Sequence, residues 1–125
     1  MDKKVFGALI ASSRGMMNVS RIKDFMDKLA LKFEQELRDK MFLSKKECKY
    51  NPTYFIQMLN ECGGVTTAKT LIAKAIQTGN PSEGFTRLYL EERLDLSMED
   101  SVCKAEYSEL FEDYEIDYCK KVLGK

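Results

Sequence analysis

Three carboxylates stand within six residues of one another in "DLSMED": Asp95, Glu99 and Asp100. Mg²⁺ accepts one or two carboxylates together with water, so metal-dependent hydrolysis is the chemistry such a group could carry. A nuclease also wants a lysine beside its acids, and "EIDYCKK" supplies Asp117 and Lys120. Those two stand three apart, which suits one face of a helix rather than the alternation of a strand. Acids at such positions more often cap and solvate helix starts. Ser97, three residues before Asp100, sits where a capping serine would. No residue is therefore assigned as catalytic or as a metal ligand, and no cofactor is expected.

The chain has no histidine. That removes the commonest general base and the commonest transition-metal ligand, and with them Ser-His-Asp and Cys-His chemistry within this chain. Four cysteines remain, Cys48, Cys62, Cys103 and Cys119, and no two are spaced as C-x-x-C. A structural zinc site has little support from that spacing. The opening "MDKKVFGALIASS" has an apolar stretch, Val5 to Ala11, too short for a convincing secretion signal. Reduced thiols in a cytoplasmic protein are expected, with Cys62 and Cys119 as small buried hydrophobes on apolar helix faces. No apolar run reaches the roughly 18 residues that span a bilayer, so no membrane partner is expected.

The stretch "NECGGVTTAKTLIAKAIQTGN" invites two further chemical readings. A phosphate-binding loop needs G-x-x-x-x-G-K-[ST] after a strand, whereas these glycines are adjacent and follow a helical pattern. Two short helices about a glycine turn also have helix-turn-helix geometry, with Lys69 and Lys74 toward phosphates. Its reading face would be Thr67, Thr70, Ala73 and Gln77, which lacks the arginine or asparagine that reads base edges. The structural reading is a corner: Gly63 closes one helix in the left-handed conformation, Gly64 turns the backbone, and Thr66 caps the next helix with Val65 as its staple.

Around that corner the pattern is helical throughout. Ile22, Phe25, Met26, Leu29, Phe33, Leu37 and Met41 recur at steps of three and four, which predicts one long helix from about Ser20 to Met41. Lys28, Lys32, Glu36, Asp39 and Lys40 fall on its polar faces, with i,i+4 pairs Lys32/Glu36 and Glu36/Lys40. "SKKECKYNP" reads as a polar connection, and Asn51-Pro52 as a cap followed by a first-turn proline. Phe55, Met58, Leu59 and Cys62 make the next stripe, and Ala68, Leu71, Ile72, Ala75 and Ile76 the one after, stopped by Gly79. A short helix around Phe85–Leu94, one starting at Ser97, and a last one with Ile116, Cys119, Val122 and Leu123 inward complete the chain. The expectation is an all-α single domain over 1–125. It is a compact bundle of five to six helices, with residues 1–50 carrying the long N-terminal amphipathic helix and 51–125 a compact helical module. One short strand over Lys4 to Ala11 is the sole exception.

Charge is divided. Residues 1–79 hold 14 Lys and Arg against 8 acids, a net of +6, and residues 80–125 hold 6 against 12, a net of −6. Complementation of the two halves across the fold or in a dimer accounts for this. A basic face for nucleic acid is the alternative, carried by Lys28, Lys32, Lys45, Lys46 and Lys49 with Tyr54 to stack on bases. The acids interleaved along the same helix argue for a solvated face instead. The stripe Phe25, Met26, Phe33, Met41 and Phe42, with Met16 and Met17 before it, suits adaptable packing against a protein partner or a second copy.

The segments "YFIQMLNECGGVTTAKTLI", "PSEGFTRLYLEERLDLSMED" and "LFEDYEIDYCKKVL" together resemble a small helical module of bacterial proteins, over about residues 54–123. The resemblance implies a helical fold and carries over no catalytic residue. It adds a bacterial or phage-defence setting as an expectation. The function expected is non-catalytic protein–protein interaction or self-association. Accessory nucleic-acid binding comes second, and metal-dependent hydrolysis third.

Overall fold

Residues of good helix propensity, lysine and leucine foremost, build a helix, α1, of 30 residues over Val19–Cys48. The computed structural model describes residues 19–125; the expected strand over Lys4 to Ala11, the Val5 to Ala11 stretch, Met16 and Met17 lie outside them. Downstream come α2 (Thr53–Cys62), α3 (Gly64–Thr78), α4 (Glu83–Leu90), a 3-10 turn at Leu94–Leu96, α5 (Met98–Val102), a second 3-10 segment at Ala105–Leu110, and α6 (Asp113–Leu123). The described residues form an all-α fold with no strand.

α1 runs seven residues beyond the expected end at Met41, through the stretch read as a connection. Two things hold the extra turns. Cys48 is buried with Leu88 and Leu96, and Leu43, Tyr50 and Leu94 pack around them. Ser44 is buried too, its hydroxyl donating to the Lys40 carbonyl at 2.9 Å. The helix stops at Lys49, which is left-handed (φ 55°), and the Tyr50 amide donates back to the Ser44 carbonyl. This is a helix terminus of the kind glycine usually supplies, made here by a lysine.

The main core gathers on one stripe of α1. Phe33, Leu37 and Met41 are buried with Leu59, Ala68, Ile72, Met98, Val102, Tyr107, Phe111 and Cys119, and Met26 and Leu29 pack at the edge. Phe33 meets the rings of Tyr107 and Phe111 edge-on, each at 5.1 Å. Lys69 joins α3 to α6: its ammonium lies 2.8 Å from Glu115 and 5.3 Å from the Phe111 ring. The same Glu115 oxygen accepts the Glu112 amide and completes the capping box of α6.

The polar face of α1 is solvated along much of its length but enters the fold at Glu36, Lys40 and Ser44. Lys40 is buried, its ammonium donating to the Ser97 carbonyl at 3.1 Å and to Asp100 at 3.2 Å. One turn earlier, Glu36 accepts from Ser101 at 2.6 Å and Tyr107 at 2.9 Å, and pairs with Lys104 at 2.8 Å. Glu36 and Lys40 keep their i,i+4 pair at 3.8 Å, whereas Lys32 pairs with Glu106 rather than Glu36. Chain halves of opposite charge therefore meet inside the fold: Lys32–Glu106, Lys40–Asp100 and Lys69–Glu115 each join a base of the first half to an acid of the second.

Smaller differences have local causes. α2 starts at Thr53 with no side-chain cap from the residue before it, and Asn51 supplies a backbone carbonyl to the Thr53 amide instead. Cys62 is exposed because it sits in the last turn of α2, beyond the buried Met58 and Leu59. Ser82 and Ser97 both cap as serines should, accepting from Phe85 and Asp100 amides. All four cysteines are free thiols.

Candidate functional site

Where α1 ends, the chain from Tyr50 to Phe55 crosses to α2, with Tyr50 packed beside Cys48 and Leu88, Pro52 buried and Phe55 on the main core. It leaves a cleft of about 420 Å³ between that segment, the C-terminal half of α3, the Asn80–Phe85 turn and the start of α5. Its walls are Tyr50, Tyr54, Phe55 and Phe85, and its polar lining includes Ser82, Ser97, Lys74, Glu83 and Glu99. Two of the walls are held in place by neighbours. The Arg87 guanidinium stacks over the Tyr50 ring at 5.0 Å. Phe85 is held by the Ser82 cap at the head of α4, and its ring is buried.

Glu99 is the unusual member. It is only 2% exposed, yet it lines the cleft, and Ser82 donates to its Oε2 at a long 3.5 Å. Among the described residues no base forms an ion pair with it, while its neighbour Asp100 takes the Lys40 ammonium. Burial pushes the Glu99 carboxyl up to about 7, against the smaller opposing effects of its own backbone amide, Ser82 and Lys40. Asp95 goes elsewhere: the Arg93 guanidinium at 3.0 Å holds its carboxyl below the usual range. The three acids of "DLSMED" thus have three separate surroundings, and no group of three acids or thiols suited to a metal ion occurs among the described residues.

The raised carboxyl has a consequence for stability. The fold favours protonated Glu99, so its contribution is whole below the ordinary carboxylate pKa of 4.5 and is lost as pH rises through about 7. Glu99→Gln keeps the shape and cannot ionise. It is expected to match the wild type near pH 4.5 and to be roughly 3 kcal/mol more stable at about pH 8.5, taking about 1.36 kcal/mol per pKa unit. Urea unfolding of both proteins at the two pH values measures this; a difference independent of pH would mean the carboxyl titrates normally.

The residues singled out from the sequence separate. Phe33 and Met41 are buried in the main core, Phe33 against the rings of Tyr107 and Phe111, and Met41 also lines the cleft. Met26 is half-buried at the edge of that core, while Phe25 and Phe42 are 48% and 65% exposed. Lys28, Lys45, Lys46 and Lys49 are exposed, but Lys28 and Lys45 stand about 25 Å apart along α1 at 1.5 Å per residue. Lys32 is engaged by Glu106, and Lys45 and Lys46 lie in the last turn, where they complement the negative end of the helix dipole. Tyr54, 64% exposed, lines the cleft, as does Lys74. Of the proposed reading face on α3, Thr67 is fully buried with its hydroxyl unpartnered among the described residues, and Lys69 is spent on Glu115.

In the sequence Glu99 stands out only as one of several acids, Tyr50 only as a companion of Tyr54 for stacking on bases, and Ser82 as a loop residue. One signal was available: Glu99 follows Leu96, Ser97 and Met98, all buried, so its stretch enters the core rather than skirting it. No helix among the described residues is long and apolar enough to cross a membrane. Comparison of the chain with protein-family models, with curated proteins and with solved structures finds no match in any of the three.

Proposed function

We propose that the protein acts by binding a partner protein, one segment of which enters the cleft between Tyr50–Phe55, α3 and the head of α4. The cleft itself carries this reading: about 420 Å³ bounded by aromatic walls, with hydroxyls and a carboxylate at fixed places. Tyrosine walls of this kind bring large contact area at little entropic cost and are enriched where proteins recognise one another. Tyr54, mostly exposed at the edge of the cleft, extends the contact to residues flanking the inserted segment.

Thr78 lines the cleft and is exposed, so a tryptophan there fills the opening without entering the core. The expected result is a protein retained from cell extract by the wild type and lost with Thr78→Trp or Tyr54→Ala. Both variants are expected to unfold at the wild-type temperature. Equal retention by all three proteins would remove the cleft from the function.

A further inference from the structure

The cleft presents one charge that no base among the described residues pairs with. Its rim carries one charge of each sign, Lys74 and Glu83, both exposed. Its interior carries Glu99, buried, with a hydroxyl at 3.5 Å and no ion pair among the described residues. The neighbouring acids show the contrast, since Glu36, Asp95, Asp100 and Glu115 each have a lysine or arginine within 3.2 Å. A carboxylate taken out of water without a cation is unfavourable, and it is kept either protonated or for a cation that arrives from outside. The walls favour the second: Tyr50, Tyr54, Phe55 and Phe85 line the cleft, and aromatic rings attract an ammonium or guanidinium, as Tyr50 already does the Arg87 guanidinium at 5.0 Å.

Resting on the binding function proposed above, we infer that the partner group seated in the cleft is a cationic side chain, lysine or arginine, whose charge is met by Glu99. Its aliphatic stem lies along the aromatic walls, as long basic side chains do against apolar surface. Ser82 is then a positioning residue: its hydroxyl accepts the Phe85 amide as the cap of α4 and donates to Glu99, holding the carboxylate on the cleft wall.

Protonation adds a second handle. Groups around Glu99 are Lys40 from α1, Ser82 before α4, Cys103 after α5, and Tyr118 and Cys119 from α6, with Lys74, Glu83 and Tyr50 on the cleft. Burial raises Tyr118 to about 12 and raises both thiols, so these three stay neutral between pH 6 and 8. Lys40 is committed to Asp100 and the Ser97 carbonyl. Glu99, near 7, is the group among them that changes charge in that window.

The test is a titration of the isotope-labelled full chain with blocked alanine pentapeptides carrying lysine, arginine, acetyl-lysine, norleucine or glutamate at the centre. Amide signals of Ser82, Gly84, Phe85 and Glu99 report occupancy. Lysine or arginine peptides are expected to bind at least about tenfold more tightly than norleucine or acetyl-lysine, and Glu99→Gln to erase that preference. Wild-type affinity for them should rise about tenfold from pH 6 to pH 8, following the ionised fraction of a group near 7, while that of Glu99→Gln stays level. Norleucine or acetyl-lysine binding as tightly as lysine, or no effect of pH and Glu99→Gln, overturns the cationic assignment and leaves the cleft as a binding site. If no peptide shifts any cleft amide, the assignment fails, and retention of a partner by wild type against Thr78→Trp decides the broader reading separately.

Discussion

Glu36→Ala is expected to lower the unfolding free energy by about 3–5 kcal/mol, the range for breaking a buried charge network from one side. One carboxylate here serves four groups: Ser101, Tyr107, Lys104 and, more distantly, Lys40. Tyr107 and Ser101 are fully buried, so removing their acceptor leaves two hydroxyls with nothing to donate to. Burial works to raise the Glu36 carboxyl, but hydrogen bonds from Lys104, Ser101 and Tyr107 outweigh it and hold the pKa below 4.5. A depressed acid contributes its stability above the unfolded-state pKa and loses it as pH falls through the folded value. Glu36→Gln, which keeps one acceptor oxygen, is expected to lie between wild type and alanine at neutral pH, with its gap to wild type closing as pH falls below about 4. Guanidinium unfolding at pH 7 and pH 3.5 measures all three; an alanine variant within about 1 kcal/mol of wild type would mean that water replaces the carboxylate readily.

The same network marks the limit of what the sequence discloses. Helix existence was legible because apolar spacing and cap residues act locally. The stripe Phe33, Leu37, Met41 is the core, Ser97 opens α5, Gly79 ends α3 in the left-handed conformation, and the acids before α6 complete its cap. Lys40 reads as polar and therefore as exposed, because its counter-charge Asp100 lies 60 residues away and no local rule connects them. The end of α1 was missed for a related reason. Glycine announces the ends of α2, α3 and α6, but Lys49 and Glu92 take the left-handed conformation at the ends of α1 and α4. Nothing in a lysine or a glutamate advertises that, since the packing of Cys48, Leu88 and Leu96 decides where those helices stop. The cleft is less legible still: its lining comes from segments far apart in the chain, and only tertiary packing sets Tyr50, Phe85 and Glu99 around one space.

The paired glycines carry the second large effect, and each for its own reason. Gly63 closes α2 and also precedes α3, with φ 84° and ψ 169°, a region that is essentially glycine's alone. Gly64, not Thr66, begins α3, and it begins it against α1: a Cβ on Gly64 would stand 2.8 Å from Glu34 Cα and 2.9 Å from Glu34 Cβ. At that contact the Glu34 side chain accepts the Gly64 amide at 3.1 Å, so the anion at this helix start is supplied by α1, while Arg38 holds the other carboxylate oxygen at 2.9 Å. Gly64→Ala is therefore expected to lower stability by about 3 kcal/mol, combining overpacking with loss of a charge-assisted hydrogen bond. Gly63→Ala, with room for its Cβ but an unsuitable backbone, is expected to lose about 1–3 kcal/mol. Shortening Glu34 to alanine does not rescue Gly64→Ala, because the nearest obstruction is the backbone of α1 rather than a side chain that can swing away. Denaturant midpoints of the two single variants and of the Glu34→Ala, Gly64→Ala double variant check this. A double variant as stable as Glu34→Ala alone would show that α1 and α3 separate easily, and that the close approach is not what requires glycine.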